Sequence, residues 1–399
     1  MHIFTSITSN YIPKARVLAE SVKTHVPGAE FHLLLCDRPP RDFDLESEPF
    51  DALILLEDLD IPGRDAWAFQ HNVVELCTAV KGLGFAWLFN KCGAEKVVFL
   101  DPDIVVFSPL TRIAQLLDAH SIVLTPHQTE PESSRSAILD HEVSSLKHGV
   151  FNLGFLAVRN SEEGNRFVTW WGERLREFCY DDKGAGLFTD QKWIDLAPAF
   201  FSDIAILREP QFNVSTWNIS HRQLSGSLAD GVKVNGQPLC FYHFSGLDSG
   251  ALKVMMDVYG GDNPVLEGLR QWYLQQCDAA GQKKFGNLPS YYATYSNGEQ
   301  VGPAERLLYR YRIELQERFP NPYDCHVEEG GYLAWYRRHA RSLAIGNEED
   351  EVVSVMRQEL DAIHHSITWR VFRRLSTTYR RLGMRLGLGR FLRRLSHLS

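Results

Sequence analysis

The stretch EKVVFLDPDIVVFSPL, residues 95–110, decides the fold class. Its apolar residues form a nearly continuous run, which is typical of a strand buried on both faces of a parallel sheet. Asp101 and Asp103 interrupt the run, and Pro102 between them has no N–H group for a strand ladder. Two carboxylates at a buried strand end repel each other unless a cation lies between them.

The two aspartates are therefore a predicted metal site. Residues two apart in an extended segment point the same way, and an open parallel sheet binds ligands beyond the carboxyl ends of its strands. Carboxylate oxygens with open positions suit Mg²⁺ or Mn²⁺ held jointly with substrate phosphates. The alternative is structural, because Asp-Pro-Asp also serves as a turn that closes a strand.

Strand-like and helical patterns alternate from the start of the chain to about residue 262. The apolar runs are MHIFTSI, EFHLLLCD, DALILLED, VVFL, SIVLTPH and VFNLGFLAV. This alternation predicts an α/β fold with a parallel sheet covered by helices on both faces. Asn235-Gly236, between two strand-like runs, predicts a hairpin. Asn160, with Glu163 three residues later, is the predicted cap of a following helix.

Three regions follow from the composition along the chain. Residues 1–262 carry the α/β pattern, residues 263–345 are helical and tyrosine-rich, and residues 346–399 change from acidic to basic. After residue 362 there is no Asp or Glu, while arginines and apolar residues recur at helical spacing. This pattern predicts an amphipathic helix for an anionic membrane surface. The alternative is a disordered basic tail.

The bulk composition is that of a soluble globular protein, with 44% hydrophobic residues and a formal net charge of −8. That charge gives no general attraction to nucleic acid, so none is expected as a partner. No apolar run approaches the roughly 20 residues that span a bilayer, and MHIFTSITS lacks the features of a signal peptide. The seven cysteines form no CxxC pair, which argues against a disulfide framework and a zinc site and is typical of a reducing cytoplasm.

Five short segments in a fixed order resemble the GT-A glycosyltransferases. They are FTSITSNY, LDPDI, FNLGF, TDQKW and HFSG. The likeness is closest to the retaining galactosyl- and glucosyltransferases of the family 8 type, of the bacterial surface-polysaccharide and lipopolysaccharide class. It covers about the first 250 residues. It implies a Rossmann-like GT-A domain, here with a helical C-terminal extension.

The resemblance also implies roles for individual residues. The donor-binding set would be Thr5, Asn10, Tyr11, Lys81, Asp101, Asn152 and Gly246. Asp101, Asp103 and His243 would hold Mn²⁺ or Mg²⁺. Asp190 and Gln191 would line the reacting face of the sugar, with Asp190 as the candidate if a protein nucleophile exists. Outside the resemblance, Asn213 and Trp217 are candidate acceptor contacts, although Trp217 could equally belong to the core.

The expected function is transfer of a sugar, with retention, from a nucleotide donor to a glycan or lipid-linked saccharide in cell-surface polysaccharide biosynthesis. A UDP-sugar is the expected donor and a GDP-sugar the alternative. The expected location is the cytoplasm, peripheral on the inner face of the membrane. One departure supports another hypothesis: the family pattern HxxGxxKPW is HFSGLDSGAL here, without its phosphate-binding lysine. The chain could then be a catalytically silent relative that binds a glycan or acts as a scaffold.

Overall fold

A computed structural model describes residues 1–327 and 330–343 of the chain. The strands in this part are β1 His2–Ile7, β2 Glu30–Leu35, β3 Ala52–Leu55, β4 Lys96–Leu100, β5 Ile104–Val106, β6 Ile122–Pro126, β7 Phe151–Arg159, β8 Ile204–Ile206, β9 Leu224–Ser227, β10 Gly231–Val234, β11 Gln237–Pro238 and β12 Phe241–His243.

Helices connect and cover these strands. The α-helices are α1 Ile12–His25, α2 Arg64–Phe69, α3 Val73–Ala79, α4 Lys81–Lys91, α5 Thr111–Ala119, α6 Arg135–Ala137, α7 Val143–His148, α8 Glu162–Phe178, α9 Ala197–Phe200, α10 Ala251–Tyr259, α11 Pro264–Ala279, α12 Gln282–Phe285, α13 Pro303–Tyr311, α14 Ile313–Arg318 and α15 Gly331–Leu343. A π-helical turn, Ile138–Glu142, joins α6 to α7. Short 3₁₀ turns lie at Ser9–Tyr11, Leu45–Ser47, Leu56–Asp58, Lys192–Leu196, Ile219–His221 and Tyr291–Ala293.

The main sheet has seven strands in the order β3-β2-β1-β4-β7-β6-β8. Strands β3, β2, β1 and β4 pair in parallel, as do β6 and β8, so the α/β fold with a parallel-dominated sheet is confirmed. The expected parallel sheet is not parallel throughout, because β7 is antiparallel to both β4 and β6. Its apolar run fits either direction, since both of its faces are buried.

The direction of β7 has a consequence for the site. The chain leaves β6 at the carboxyl edge of the sheet and enters β7 at that same edge, without a crossover to the other side. The beginning of β7 therefore lies beside the end of β4, where the Asp101 N–H donates to the Gly154 carbonyl at 2.8 Å.

Two apolar layers cover the sheet. Helices α1 and α5 contribute buried residues to one layer, and α4 and α8 contribute to the other. Trp171 is fully buried in the second layer, while Trp170 only packs against it. The predicted cap of α8 is wrong by one residue: Ser161, not Asn160, accepts the N–H of Gly164, because Ser161 is the last residue with extended backbone before the helix.

Two small antiparallel sheets are separate from the main sheet. Strands β9, β10 and β11 form one, and Asn235-Gly236 is the tight turn between β10 and β11, as predicted. Both turn residues have positive φ, 48° and 82°, which is why the Asn-Gly pair suits this turn. Strands β5 and β12 form the other sheet, with His243 opposite Ile104.

The helical region after the sheet is joined to it by buried arginines. Arg306 donates to the carbonyls of Phe69, His71 and Tyr292 at 2.5–2.9 Å. Arg310 pairs with Glu75 at 2.6 Å, with both side chains buried. Met1–Ser245 and Met255–Arg338 form one compact unit, so most of the predicted accessory region is in the unit that holds the sheet. Gly246–Val254 belongs to a second unit. The predicted tail, 346–399, lies outside the described residues.

One apolar stretch is longer than the sequence analysis allowed. Within the described residues, Val73–Lys91 spans 19 residues with a mean hydropathy of 1.2, enough by length and composition to cross a membrane. It consists of α3 and α4, 56% of its apolar window is buried inside the protein, and it contains the buried ion-paired residues Glu75 and Lys81. These features are those of core helices.

Candidate functional site

Asp101, Asp103 and His243 meet at the carboxyl edge of the sheet. Strand β4 ends just before Asp101, and pairing of β5 with β12 brings His243 from far along the chain to the same point. His243 Nε2 lies 3.0 Å from Asp103 Oδ1 and 3.8 Å from Asp101 Oδ2. The Phe244 N–H donates to the Asp103 carbonyl at 2.8 Å and secures this arrangement. The three residues predicted as metal ligands are thus together.

The charges of this cluster depend on one another. Burial alone would raise the pKa of Asp103, but the charge of His243 and its hydrogen bond outweigh burial and lower it. Burial would likewise lower the pKa of His243, yet the Asp103 carboxylate raises it. Burial raises the pKa of Asp101, and the positive charges of Lys81 and His243 offset only part of that effect. Burial thus opposes the ionisation of Asp101, whereas His243 and Asp103 each favour the charged form of the other.

The close approach of His243 requires a glycine on the neighbouring strand. A Cβ atom at Gly154 would lie 2.3 Å from Cε1 and 2.7 Å from Nδ1 of His243. No real Cβ contact is that short, so any side chain at Gly154 would displace the imidazole. The glycine of the FNLGF segment is thus explained by the room that the imidazole needs.

Lys81 lies behind the cluster and joins two carboxylates. Its Nζ is 2.9 Å from Asp190 Oδ2 and 3.3 Å from Asp101 Oδ1, and it donates to the Leu153 carbonyl at 2.9 Å. The side chain is 3% exposed. Burial would lower the pKa of Lys81, but Asp101 and Asp190 outweigh it and raise the pKa. A buried lysine that remains charged can hold both carboxylates in place.

Asp190 follows a strained residue. Thr189 has φ 44°, in the left-handed region that β-branched residues avoid, and its hydroxyl donates to Asp190 Oδ1 at 3.1 Å. The Trp171 indole N–H donates to the Asp190 carbonyl at 3.2 Å. The surrounding structure therefore fixes the Asp190 backbone and side chain together.

The amide side chains of Asn152, Gln191 and Asn213 form a buried network next to His243. Asn152 Oδ1 accepts from Asn213 Nδ2 at 3.1 Å and lies 3.3 Å from His243 Nδ1. Gln191 Oε1 accepts from the Leu153 N–H at 3.2 Å, and Gln191 Nε2 donates to the His148 carbonyl at 3.0 Å. Both ends of the Gln191 amide are thus engaged within the protein.

Asn213 has φ 50°, in the left-handed region that asparagine tolerates, and its side chain is fully buried. Its Oδ1, and likewise Trp217 Nε1, has no hydrogen-bond partner within the part of the chain that the structure describes. The Trp217 ring stands edge-on to His243, with ring centroids 5.1 Å apart. Trp217 therefore packs on the cluster itself, and the two unpaired polar atoms are candidates for a ligand.

The residues predicted to bind the donor base lie on β1 and in the turn after it. Thr5 is fully buried on β1, and Asn10 Oδ1 accepts from the Thr8 hydroxyl at 2.7 Å. The Lys14 ammonium lies 4.1 Å from the centre of the Tyr11 ring, and the charge of Lys14 helps to lower the pKa of Asp103. Lys14 therefore links the turn that carries Tyr11 electrostatically to Asp103.

Gly246, also predicted to bind the donor, lies in the second unit and has φ 79°. The Gly246 carbonyl accepts from the N–H of Leu252, in the same unit, at 3.1 Å.

Three residues at the same edge were missed by the sequence analysis. His127, just after β6, has its Nε2 3.3 Å from Asn152 Nδ2, and burial lowers its pKa to about 4. Asp37, just after β2, accepts the N–H groups of Ser9 and Tyr291. Lys14 is 4% exposed in the first turn of α1. The available signal for His127 and Asp37 was position, since both follow strands that end at the carboxyl edge.

Sequence comparisons find two relatives in Bacillus subtilis (strain 168). The uncharacterized protein YfnF is 28% identical over 152 residues, 38% of this chain and 50% of YfnF. The uncharacterized protein YfnD is 24% identical over 250 residues, 61% of this chain and 77% of YfnD. The first match thus spans half the length of that relative. No family model matches the chain.

Several solved structures are similar in part. The galactosyltransferase LgtC, in complex with donor and acceptor sugar analogs, aligns with a TM-score of 0.43 and 14% identity, covering 72% of this chain and 98% of LgtC. The glycosyltransferase GlyE of Streptococcus pneumoniae TIGR4 aligns with a TM-score of 0.39 and 16% identity, covering 74% of this chain and 66% of GlyE. Because both scores lie below 0.5, the function of this chain has to be argued from its own side chains.

Proposed function

We propose that this chain is a GT-A glycosyltransferase, dependent on a divalent cation, that moves a sugar from a nucleotide donor onto a glycan or lipid-linked saccharide. The observation that carries the proposal is the cluster of Asp101, Asp103 and His243, with ligand atoms 3.0 and 3.8 Å apart at the carboxyl edge of the sheet. Asp101 is 29% exposed, so one side of the cluster is open to a ligand.

The donor atoms of the cluster fit Mn²⁺ or Mg²⁺. Asp101, Asp103 and His243 would hold the ion with two hard carboxylates and one imidazole, and the remaining positions would be open to phosphate oxygens. When bound, such an ion supplies positive charge against the negative charge that develops on a departing nucleoside diphosphate.

Lys81 and Asp190 define where the sugar reacts. As the bond from the sugar to the phosphate breaks, positive charge develops on the ring, and a fixed carboxylate stabilises it. Asp190 is held by Lys81 at 2.9 Å and by the Thr189 hydroxyl at 3.1 Å, so it needs no reorganisation when that charge appears. Lys81 acts through the two carboxylates as a positioning residue.

Retention is the proposed stereochemical outcome. The Asp190 carboxylate is 4% exposed and ion-paired, which makes it a poor nucleophile. We therefore assign proton removal from the acceptor hydroxyl to the leaving phosphate, on the same face of the sugar. Asn152 and Gln191, fixed by the amide network, would border that face, and Trp217 would offer an aromatic wall.

The donor base would lie against Tyr11, with Thr5 and Asn10 near it. The proposed base is uracil, and the binding of UDP and GDP distinguishes it from guanine. Lys14 provides a buried cation between this position and Asp103, and it would face the phosphates.

An apolar surface next to the site supports a lipid-linked acceptor. Leu139, Val143 and Leu146 are 49%, 44% and 69% exposed on the helical segment that ends at His148. The His148 carbonyl accepts from Gln191, so this surface borders the proposed sugar site. An apolar strip there would receive the lipid of an acceptor whose saccharide enters the site.

The location proposed for the enzyme is the inner face of the cytoplasmic membrane, in cell-surface polysaccharide biosynthesis. The basic sequence after residue 362 supports this, since each basic residue near an anionic surface contributes about 1 kcal/mol. A chain truncated after residue 365 should no longer float with vesicles containing anionic lipid. Flotation equal to that of the full chain would exclude the anchor.

The test of the activity is sugar-nucleotide turnover with Mn²⁺ for the wild type and Asp103→Asn. Loss of one carboxylate of the cluster should lower turnover by about 100-fold or more. Asp230→Asn is the matched control, because Asp230 is an exposed turn residue that is hydrogen-bonded to the neighbouring Ser227, and it should retain wild-type turnover. Equal turnover in wild type and Asp103→Asn would remove the metal from the mechanism. Nucleotide binding without any turnover would favour the silent relative.

A further inference from the structure

A second group of metal-binding side chains lies at the opposite edge of the sheet. His2 and Glu30 are register partners on the parallel strands β1 and β2, and His32 is two residues beyond Glu30. Register partners face the same way, and so do residues two apart on a strand. All three side chains therefore project from one face of the sheet, at its amino edge.

The distances within this group suit one small ion. His2 Nδ1 lies 3.0 Å from His32 Nε2 and 3.5 Å from Glu30 Oε2, and His32 Nε2 lies 3.9 Å from the same oxygen. A tetrahedral Zn²⁺ with bonds of about 2.0–2.1 Å separates its ligand atoms by roughly 3.3 Å. The observed separations bracket that value.

The three ligands differ in burial, and the most exposed of them leaves the site accessible to ions from solvent. The side chains of His32 and His2 are 2% and 16% exposed, whereas that of Glu30 is 61% exposed. The imidazoles are thus held by the sheet, with their rings stacked at 5.2 Å, and the carboxylate approaches from solvent. Ions can enter on the Glu30 side, where a water molecule would complete the coordination.

We propose that His2, Glu30 and His32 form a Zn²⁺ site that clamps the amino ends of β1 and β2. The site uses imidazole and carboxylate ligands, so the scattered cysteines that argue against a cysteine zinc site do not bear on it. It is independent of the proposed transferase activity, since β1 and β2 carry the nucleotide side of the site only at their other ends. The simpler reading is a hydrogen bond between the two imidazoles, which the same 3.0 Å distance allows.

The test is calorimetric titration with Zn²⁺ in the Asp103→Asn background, which weakens ion binding at the catalytic cluster. Asp103→Asn should bind one equivalent and gain thermal stability with it, because an ion that binds only the folded state raises the melting temperature. Adding Glu30→Gln, an exposed substitution that spares the fold, should weaken Zn²⁺ binding at least tenfold, and adding His2→Gln should do the same. Adding His326→Gln, an exposed histidine elsewhere, should change nothing.

Two outcomes of the Zn²⁺ titration would overturn the proposal. If Asp103→Asn takes up no Zn²⁺, or if Glu30→Gln and His2→Gln leave its affinity and its stabilisation unchanged, the histidines are only hydrogen-bonded. His2→Gln in the otherwise wild-type chain should keep full sugar-nucleotide turnover. Failure of the transferase proposal would leave the Zn²⁺ titration unaffected, so the two proposals fail separately.

Discussion

The buried ammonium of Lys81 holds together two carboxylates that would otherwise repel each other. Asp101 and Asp190 both lie within 3.3 Å of its Nζ, and the side chains of Lys81 and Asp190 are almost fully buried. Removing such a lysine destabilises the fold, because it leaves a buried carboxylate without a compensating charge.

Lys81→Met should therefore cost about 3–5 kcal/mol of unfolding free energy at pH 7, measured by urea denaturation. The double variant Lys81→Met with Asp190→Asn should recover part of that loss, because it removes one of the stranded charges. Lys96→Met is the control: its pair with Asp118 is on the surface, where such pairs contribute at most about 1 kcal/mol. A Lys81→Met protein as stable as Lys96→Met would show that the buried pair does not stabilise the fold.

Single residues were predictable from the sequence where chemistry and position coincide. Asp101, Asp103 and His243, which the family resemblance implied as one set, lie together. The ion pair between Lys81 and Asp190 was not predicted. The engagement of Gln191 by the protein and the contact of His127 with Asn152 were not predicted, because both depend on the path of β7. The local sequence around a histidine that follows a strand does not show which other strand will lie next to it in the sheet.

Strand β7 shows how an element can place a residue that its sequence alone does not. It enters the sheet at the carboxyl edge, antiparallel to β4, and so brings Asn152 and Gly154 next to the cluster of Asp101, Asp103 and His243. An alternating strand–helix pattern predicts parallel strands, and an apolar run buried on both faces fits either direction. The hydrophobic periodicity of the sequence therefore could not predict the direction of β7.

Gly154→Ala tests that placement. The added Cβ would occupy the space of the His243 ring, so the affinity for Mn²⁺, measured by calorimetry, should fall at least tenfold. Gly268→Ala is the matched control, because its Cβ would meet no atom within 4 Å, and it should bind Mn²⁺ as the wild type does. Equal Mn²⁺ affinity in both variants would mean that His243 is not a ligand.

The junction between α2 and the helical extension predicts a dependence of stability on pH. His71 is buried there, and its carbonyl accepts from Arg306 at 2.8 Å. Burial first, and then the charge of Arg310, lowers the pKa of His71 from 6.5 to about 3. Between these values the unfolded chain binds a proton that the folded chain does not, so stability falls as the pH falls from 6.5 toward 3.

His71→Gln should remove this contribution. Its unfolding free energy, followed by urea denaturation between pH 6.5 and 4, should fall less steeply than that of the wild type, by up to about 1.4 kcal/mol per pH unit. His326→Gln, on an exposed loop, should follow the wild-type profile. Identical slopes for His71→Gln and the wild type would mean that His71 takes up its proton without unfolding.

Across the whole molecule, the sequence predicted the class of fold and the edge of the sheet where the site lies. It also separated a helical region after residue 262, but most of that region shares a compact unit with the sheet. The reason lies in long-range contacts: Arg306 and Arg310 bond to α2 and α3, more than 200 residues earlier. A change in local composition marks a change of element type, and it gives no sign of which surfaces later pack together.

The central claim is that Asp101, Asp103 and His243 hold a divalent cation on which a nucleoside diphosphate binds. The most direct measurement is calorimetric titration of UDP and GDP into the full chain, with and without Mn²⁺, repeated on Asp103→Asn. We predict micromolar binding of one of the two nucleotides with Mn²⁺, and binding at least tenfold weaker without it or in Asp103→Asn. Nucleotide affinity that is the same with and without Mn²⁺, or no binding of either nucleotide, would contradict the claim.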